Sequence, residues 1–446
     1  MSDDDPRARI AREPMTFRQI LAILTASACA ASEGFDVQSI SFASPGIARD
    51  WGVDRAVLGV VLSMELVGMA IGAVVIGAIA DRVGRRPTIL ACLVIMASGM
   101  GLASAATDVA TLSTLRFYTG LGIGGMLATT CAIVAESAND RRRSLAITLM
   151  IGGYSFGAVA GGGAASLLLA RTDRWQAVFE LGALSTAALL PLVLLFLPES
   201  ISFLCQRQPK DALSRVNRIL VRQGRRAIDR LPPPVAPGAR RGVGALFHPG
   251  MAGTTVALTV AFFMYMTSLY FLLKWIPKLV ADMGYPAASA GAVLVWANMG
   301  GIAGTIVLGV LMERCNVRHL VIGALICGSV AVVAFGQSPA GMPALVVVAA
   351  GAGFSIIGAN SGFYSMVAQA FPGSLRAGGT GFVIGAGRAG SALGPIAAGL
   401  LFEAGWSLAM VSASMACGCL VAAAALSRVG DPEASTASSA GLPGAA

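Results

Sequence analysis

Gly77-Ala-Ile-Ala-Asp81-Arg82-Val-Gly84-Arg85-Arg86 is the stretch on which the fold turns. An apolar run of about 20 residues ends in it and another begins directly after it, and about 20 apolar residues are what a helix needs to cross a bilayer core. Asp81, Arg82, Arg85 and Arg86 therefore sit in a short polar loop between two membrane-spanning helices. Three of these four charges are arginines, which marks the loop as cytoplasmic, because Lys and Arg accumulate on that side of short membrane loops.

Working outward from this loop, apolar stretches of spanning length recur at about residues 18–42, 56–80, 87–106, 109–135, 144–170 and 175–197. Six more follow at about 252–280, 287–312, 318–336, 342–368, 377–402 and 405–427. The expected protein is an all-α membrane protein of 12 transmembrane helices in two six-helix halves. Its divisions are a tail over 1–17, a first half over 18–198, a linker over 199–250, a second half over 251–427 and a C-terminal tail over 428–446. Composition agrees, since 56% of the 446 residues are hydrophobic and 12% charged, against roughly 25% charged in soluble domains.

Counted on this topology, 24 of the 32 Lys and Arg residues lie on the side of the termini. Five (Arg49, Arg55, Arg171, Arg174 and Lys278) lie opposite, and three lie within spans. Both termini are expected in the cytoplasm, and the protein in a bacterial inner membrane. The net charge of +9 is thus explained by topology, and no nucleic-acid partner is expected. Ser2, Asp3, Asp4 and Asp5 open the chain, and no Ala-x-Ala-like site follows the first apolar run, so that run is expected to remain as a helix. Within the linker, Arg207, Lys210, Arg215, Arg218, Arg222, Arg225 and Arg226 have a helical spacing, followed by Pro232, Pro233, Pro234 and Pro237. Two readings stand there, a solvated connector and a helix on the lipid surface.

The eight cysteines are scattered, mostly in apolar runs, without metal-ligand spacing, and read as small buried hydrophobes. His248 and His319 are the only histidines, and no nucleophile motif or P-loop is present, so neither an enzyme nor an ATP-driven pump is expected. The run Gly120-Leu-Gly122-Ile-Gly124-Gly125 formally matches a nucleotide-binding pattern. It lies inside an apolar span with no preceding strand, so it reads as close helix packing, as do Gly68, Gly72, Gly153, Gly157 and Gly161.

The opening loop has a degraded copy, Gly309, Glu313, Arg314 and Arg318, 232 residues later. Glu136 to Arg143 likewise parallels Gln369 to Arg376 at an offset of 233. Such self-similarity marks a duplicated transporter fold.

The loop at 77–86 resembles the signature loop of the major facilitator superfamily at every defining position. Arg116-Phe-Tyr-Thr-Gly120-Leu-Gly122-Ile-Gly124 and Pro198-Glu199-Ser200 resemble further motifs of that superfamily. Glu33-Gly-Phe-Asp36, Trp51-Gly-Val, Lys274-Trp275-Ile-Pro277, Arg376-Ala-Gly-Gly-Thr-Gly, Gly387-Arg388-Ala-Gly and Gly394-Pro395 are similar to the aromatic acid:proton symporter family. Glu33 stands where that family commonly has Asp, Thr129 where it has Asn, and Lys274 at its polar position before the Trp. The resemblance implies a monomeric secondary transporter with no cofactor beyond the proton gradient, taking up an aromatic acid of hydroxybenzoate, protocatechuate or phenylpropionate type by alternating access. Another organic anion, a sugar-like solute, export, or a sensor that binds without transporting stay open as alternatives.

Ionisable groups are costly within spans, so each needs either a partner or a function there. Glu33, Asp36, Arg116, Lys274 and Arg388 are the five singled out on that ground. Arg388 lies near mid-span, where a guanidinium suits either a substrate carboxylate or a structural ion pair. Glu33 and Asp36 are three residues apart and share a helix face. The resemblance implies that Asp36 carries the proton and Glu33 modifies it. Arg116 is expected to pair with Asp36, either as part of coupling or as simple neutralisation. Trp296 and Asn298 are the expected substrate contacts in span eight, whereas Lys274 is expected to snorkel towards the outer surface. By resemblance, Asp81 with Arg82, Arg85 and Arg86 forms a conformational latch; the plainer reading is that the arginines only set topology.

Overall fold

The computed structural model describes residues 5–234, 243–248, 251–337, 341–372 and 375–429. Ser2, Asp3, Asp4, Pro237, residues 430–446 and the side chains of Arg376 and Ala377 lie outside the described residues. Six long helices come first: α2 (Phe17–Trp51), α3 (Arg55–Val83), α4 (Arg85–Ser104), α5 (Val109–Ser137), α6 (Arg143–Thr172) and α7 (Gln176–Phe196). A short helix α1 (Pro6–Arg12) precedes them, and α8 (Ile201–Arg207), α9 (Ala212–Arg222) and a 3-10 turn (Val243–Phe247) follow. Six more long helices complete the chain: α10 (Ala252–Asp282), α11 (Ala287–Leu311), α12 (Val317–Gly336), α13 (Met342–Ala370), α14 (Arg376–Glu403) and α15 (Leu408–Ser427). No strand occurs among the described residues.

Eleven of these twelve long helices are both long and apolar enough to span a membrane. The exception, α14, has 28 residues and so ample length, but it carries Arg388 and a glycine-rich sequence that lower its hydropathy. At the other extreme α2 runs nine residues past the expected end, through Pro45. The missing amide at Pro45 does not break it because the surrounding turn is packed in place: a Cβ at Gly46 would lie 2.9 Å from Trp175 Cβ, and Trp175 Nε1 donates to Asp50 Oδ2 at 3.0 Å.

The chain divides into two compact units, Met1–Ala236 with Ile276–Val295 and Pro237–Trp275 with Trp296–Ala446. In the first, α3 packs along α5, α2 along α6, and α4 against α5 and α7. In the second, α12 packs against α13 and α15.

The internal repeat reappears as matching contacts within the units. A Cβ on Gly120 would come within 2.1 Å of the Glu65 carbonyl oxygen, and one on Gly353 within 1.9 Å of the Ala297 carbonyl oxygen. Both positions thus require glycine for the backbones of paired helices to touch. Arg86 Nη2 donates to the Leu194 carbonyl at 2.6 Å, and its repeat partner Arg318 donates through Nη2 to the Ser427 carbonyl at 2.5 Å. These are helix C-terminal carbonyls without a continuing turn, so in each unit an arginine satisfies an otherwise orphaned acceptor.

The linker is more structured than a solvated connector. Val216 and Leu220, spaced four apart on α9, are buried in a cluster with Ile10 of α1, Phe203 and Leu204 of α8, and Ile228. The N-terminal segment and the linker thereby share a small apolar core of their own.

Candidate functional site: a buried charge cluster and its supporting loop

Asp36 and Glu33 are 0% and 1% exposed, at the middle of α2. Asp36 Oδ2 accepts from Thr186 Oγ1 at 3.2 Å, and Thr186 Oγ1 in turn lies 2.7 Å from Ser32 Oγ. Asp36 Oδ1 is buried with no hydrogen-bond partner among the described residues. A buried carboxylate oxygen left in that state is costly, and it is the natural acceptor for a proton.

Arg116 of α5 reaches the same place, but it does not pair with the Asp36 carboxylate as expected. Its Nη2 donates to the Asp36 main-chain carbonyl at 3.0 Å and forms an ion pair with Glu65 Oε2 at 2.5 Å. Its Nη1 lies 2.8 Å from Met100 Sδ, and its guanidinium carbon is 5.4 Å from the Phe179 ring centroid. Glu65, on α3, is the residue that sequence reasoning passed over. It is an acid about ten residues into an apolar span, and that position alone would have sufficed to flag it. Thr129 is buried, and its hydroxyl is spent on the Gly125 carbonyl of its own helix at 2.7 Å.

The loop between α3 and α4 is held by the Pro198-Glu199-Ser200 motif. Glu199 Oε1 accepts from the backbone amides of Arg85, Arg86 and Ser200 at 2.8, 3.3 and 2.9 Å, so this carboxylate caps the start of α4. Gly84 has φ +118, and a Cβ there would also strike Glu199 Oε2 at 2.4 Å, which accounts for its glycine. Arg85 pairs with Asp81 at 3.0 Å and with Glu136 at 3.5 Å, tying this loop to the end of α5. Asp81 is 60% exposed at its side chain, and its carbonyl accepts from Arg207 Nε at 2.8 Å. Arg82 is exposed.

In the second unit Arg388 is half-buried, near the middle of α14. Trp296 is exposed whereas Asn298 is buried, and two residues along a helix turn through about 200°, so these two expected substrate contacts do not share a face. Lys274 is 1% exposed and does not snorkel. The stretch Phe271–Trp275 is buried throughout, with Trp275 Nε1 donating to the Pro395 carbonyl at 3.2 Å and its ring 5.1 Å from Phe402. That bond joins the Trp275 and Gly394-Pro395 motifs. Tyr265 stacks on Phe363 at 4.6 Å and donates to the Ile356 carbonyl at 2.9 Å, a packing role. Among the described residues no group of His, Cys, Asp or Glu is arranged to hold a metal ion.

Comparison with known proteins gives a consistent family. The 4-hydroxybenzoate transporter PcaK of Acinetobacter baylyi is 32% identical over 91% of this chain and 90% of its own length. The gallate transporter of Pseudomonas putida is 31% identical, with 91% of each chain covered, and the 3-(3-hydroxy-phenyl)propionate transporter of Escherichia coli is 30% identical, covering 91% and 93%. Among solved structures, the inward open conformation of the xylose transporter XylE from E. coli superposes with a TM-score of 0.70 at 16% identity, over 91% of this chain and 95% of that one, a likeness of fold. The profile of the Major Facilitator Superfamily matches residues 26–359 and 258–444. With helices, internal repeat, signature loop and profile in agreement, this multi-pass membrane protein belongs to the Major Facilitator Superfamily.

Proposed function

We propose that the protein imports an aromatic carboxylate together with a proton, by alternating access, as a monomer in the inner membrane of a bacterium with both termini in the cytoplasm. The relatives' names support the substrate class: hydroxybenzoate, gallate and hydroxyphenylpropionate each combine an aromatic ring with a carboxylate. The excess of Lys and Arg on the terminal side supports the orientation.

One observation carries the coupling assignment: Asp36 is fully buried, with Oδ1 lacking a hydrogen-bond partner among the described residues, beside an arginine already paired to Glu65. With Asp36 and Glu65 ionised and Arg116 charged, these three groups carry one net negative charge, and a single proton on Asp36 makes the set neutral. That change in net charge, at side chains with no solvent exposure, is what lets proton binding select between conformations. Glu33 modifies this balance from the preceding turn. Arg388 anchors the substrate carboxylate through its guanidinium fork, with Asn298 as a polar contact, whereas Trp296, exposed on another face of α11, does not join them. Asp81, with Arg82, Arg85 and Arg86, serves as the latch whose making and breaking accompanies the conformational change.

Uptake of labelled 4-hydroxybenzoate, gallate, a phenylpropionate and a sugar into proteoliposomes, with and without an imposed inward proton gradient, tests the substrate class. Gradient-driven accumulation of aromatic acids that stops on adding a protonophore and is lost in Arg388→Ala is the expected result. Accumulation of the sugar alone would refute the aromatic assignment.

A further inference from the structure

A cavity of about 760 Å³ opens on the side of the first unit that carries the N-terminus. Its polar wall is made by Arg18 of α2, Arg86 of α4, and Arg215, Arg218 and Arg222 of α9. Five guanidinium groups there meet one carboxylate, Glu199, whose Oε1 is already occupied by three backbone amides. Arg18, Arg215, Arg218 and Arg222 make no ion pair among the described residues, and Arg86 Nε is buried without a hydrogen-bond acceptor. The other wall is apolar and outward-facing. Phe17 at the start of α2 is 76% exposed, Leu195 at the end of α7 is 72% exposed, and Leu194 lies beside it.

The arginine wall is held in place by packing. Arg215, Arg218 and Arg222 follow at i, i+3 and i+7 and so line one side of α9. The opposite side of α9, Val216 and Leu220, is fixed in the apolar cluster of α1 and α8. The guanidinium groups are therefore presented at a fixed place where two spanning helices reach the membrane border.

We infer that this cavity is a binding site for an anionic phospholipid of the adjoining leaflet, with the phosphate among Arg86, Arg215, Arg218 and Arg222 and the acyl chains along Phe17, Leu194 and Leu195. A soluble anion would use the arginines and leave the exposed apolar wall unexplained, whereas an amphiphile uses both. The volume lies within the range of about 300–1,000 Å³ typical of small-molecule sites, enough for a headgroup and the first part of its chains. The site is independent of which solute is transported, and the proposed orientation serves only to identify the leaflet as the cytoplasmic one.

The test is native mass spectrometry of the full-length, delipidated protein with phosphatidylglycerol, with phosphatidylcholine as the neutral comparison and millimolar inorganic phosphate as competitor. Phosphatidylglycerol is expected to be retained in preference to phosphatidylcholine and not displaced by phosphate. The variant R215Q/R218Q/R222Q should bind it on the order of 100-fold more weakly, at about fivefold per arginine. The charge-matched variant R141Q/R226Q/R230Q, altered at exposed arginines outside the cavity, should bind as the parent does. Equal loss in both variants, no loss in the first, or displacement by phosphate would overturn the assignment. Should the triple variant fail to fold, Arg218→Glu, a single change at an exposed position, makes the same test.

Discussion

Glu65 Oε2 and Arg116 Nη2 lie 2.5 Å apart, and neither side chain has any solvent exposure. A pair buried this completely is sustained by each partner's charge, and removing one leaves the other without compensation, at about 3–5 kcal/mol. Glu65→Gln should therefore lower the melting temperature of the purified protein sharply, while Glu65→Leu with Arg116→Met should recover much of the loss. Additive destabilisation by the two single changes would show that the pair is not coupled.

Close helix approach makes a second prediction, in matched pairs. Gly120→Ala and Gly353→Ala each drive a Cβ against a carbonyl oxygen of the facing helix and should destabilise by about 1–3 kcal/mol. Gly77 and Gly309, also related by the repeat, have nothing within 4 Å of an added Cβ, so their alanine variants should fold like the parent. Size-exclusion profiles of the solubilised variants check both halves. Similar losses at all four positions would contradict the packing account.

Membrane crossing, the number of long helices and the repeat are legible in the sequence because each depends on runs of residue type that a span of fixed length imposes. Even the weakest span, α14, is placed to within about a residue at each end by its neighbours' spacing. Pairing is not legible. Arg116 and Asp36 stand in spans at similar depth, which suggests that they join, but helix rotation turns Arg116 towards Glu65, and rotation is set by packing. Lys274 departs from expectation for the same reason, since its neighbours suggest an interface whereas packing encloses that turn of α10. The α1, α8 and α9 cluster is hidden by the arginines interleaved with its apolar residues, although the spacing at 216 and 220 is present in the sequence.

Cysteine chemistry reports on both folding and topology. Burial, which outweighs the opposing effect of Arg7, pushes the Cys205 thiol up to about 11, whereas Cys315 is exposed between α11 and α12. At neutral pH the thiolate that reacts is about a thousandfold or more scarcer at Cys205 than in an alkaline solution near its pKa. Peptide mapping after maleimide treatment should find Cys315 modified and Cys205 intact until the protein is unfolded. With a membrane-impermeant maleimide, Cys315 should be modified in inside-out vesicles and spared in right-side-out ones; the reverse pattern would invert the proposed topology.

Glu199 is 6% exposed, and Glu199→Ala removes the acceptor for three amides at the start of α4 and α8. Hydrogen bonds to a charged group contribute about 1.5–3 kcal/mol each, so the variant should melt well below the parent, with Glu199→Gln intermediate because one acceptor oxygen remains. Unchanged melting in Glu199→Ala would remove its capping role.

The central claim is that Asp36 carries the proton that drives accumulation, and comparing Asp36→Asn with the parent in proteoliposomes tests it most directly. Under an inward proton gradient the parent should accumulate labelled 4-hydroxybenzoate, whereas Asp36→Asn should exchange internal for external substrate at a comparable rate yet fail to accumulate it. Accumulation by Asp36→Asn to the parent's level would contradict the account.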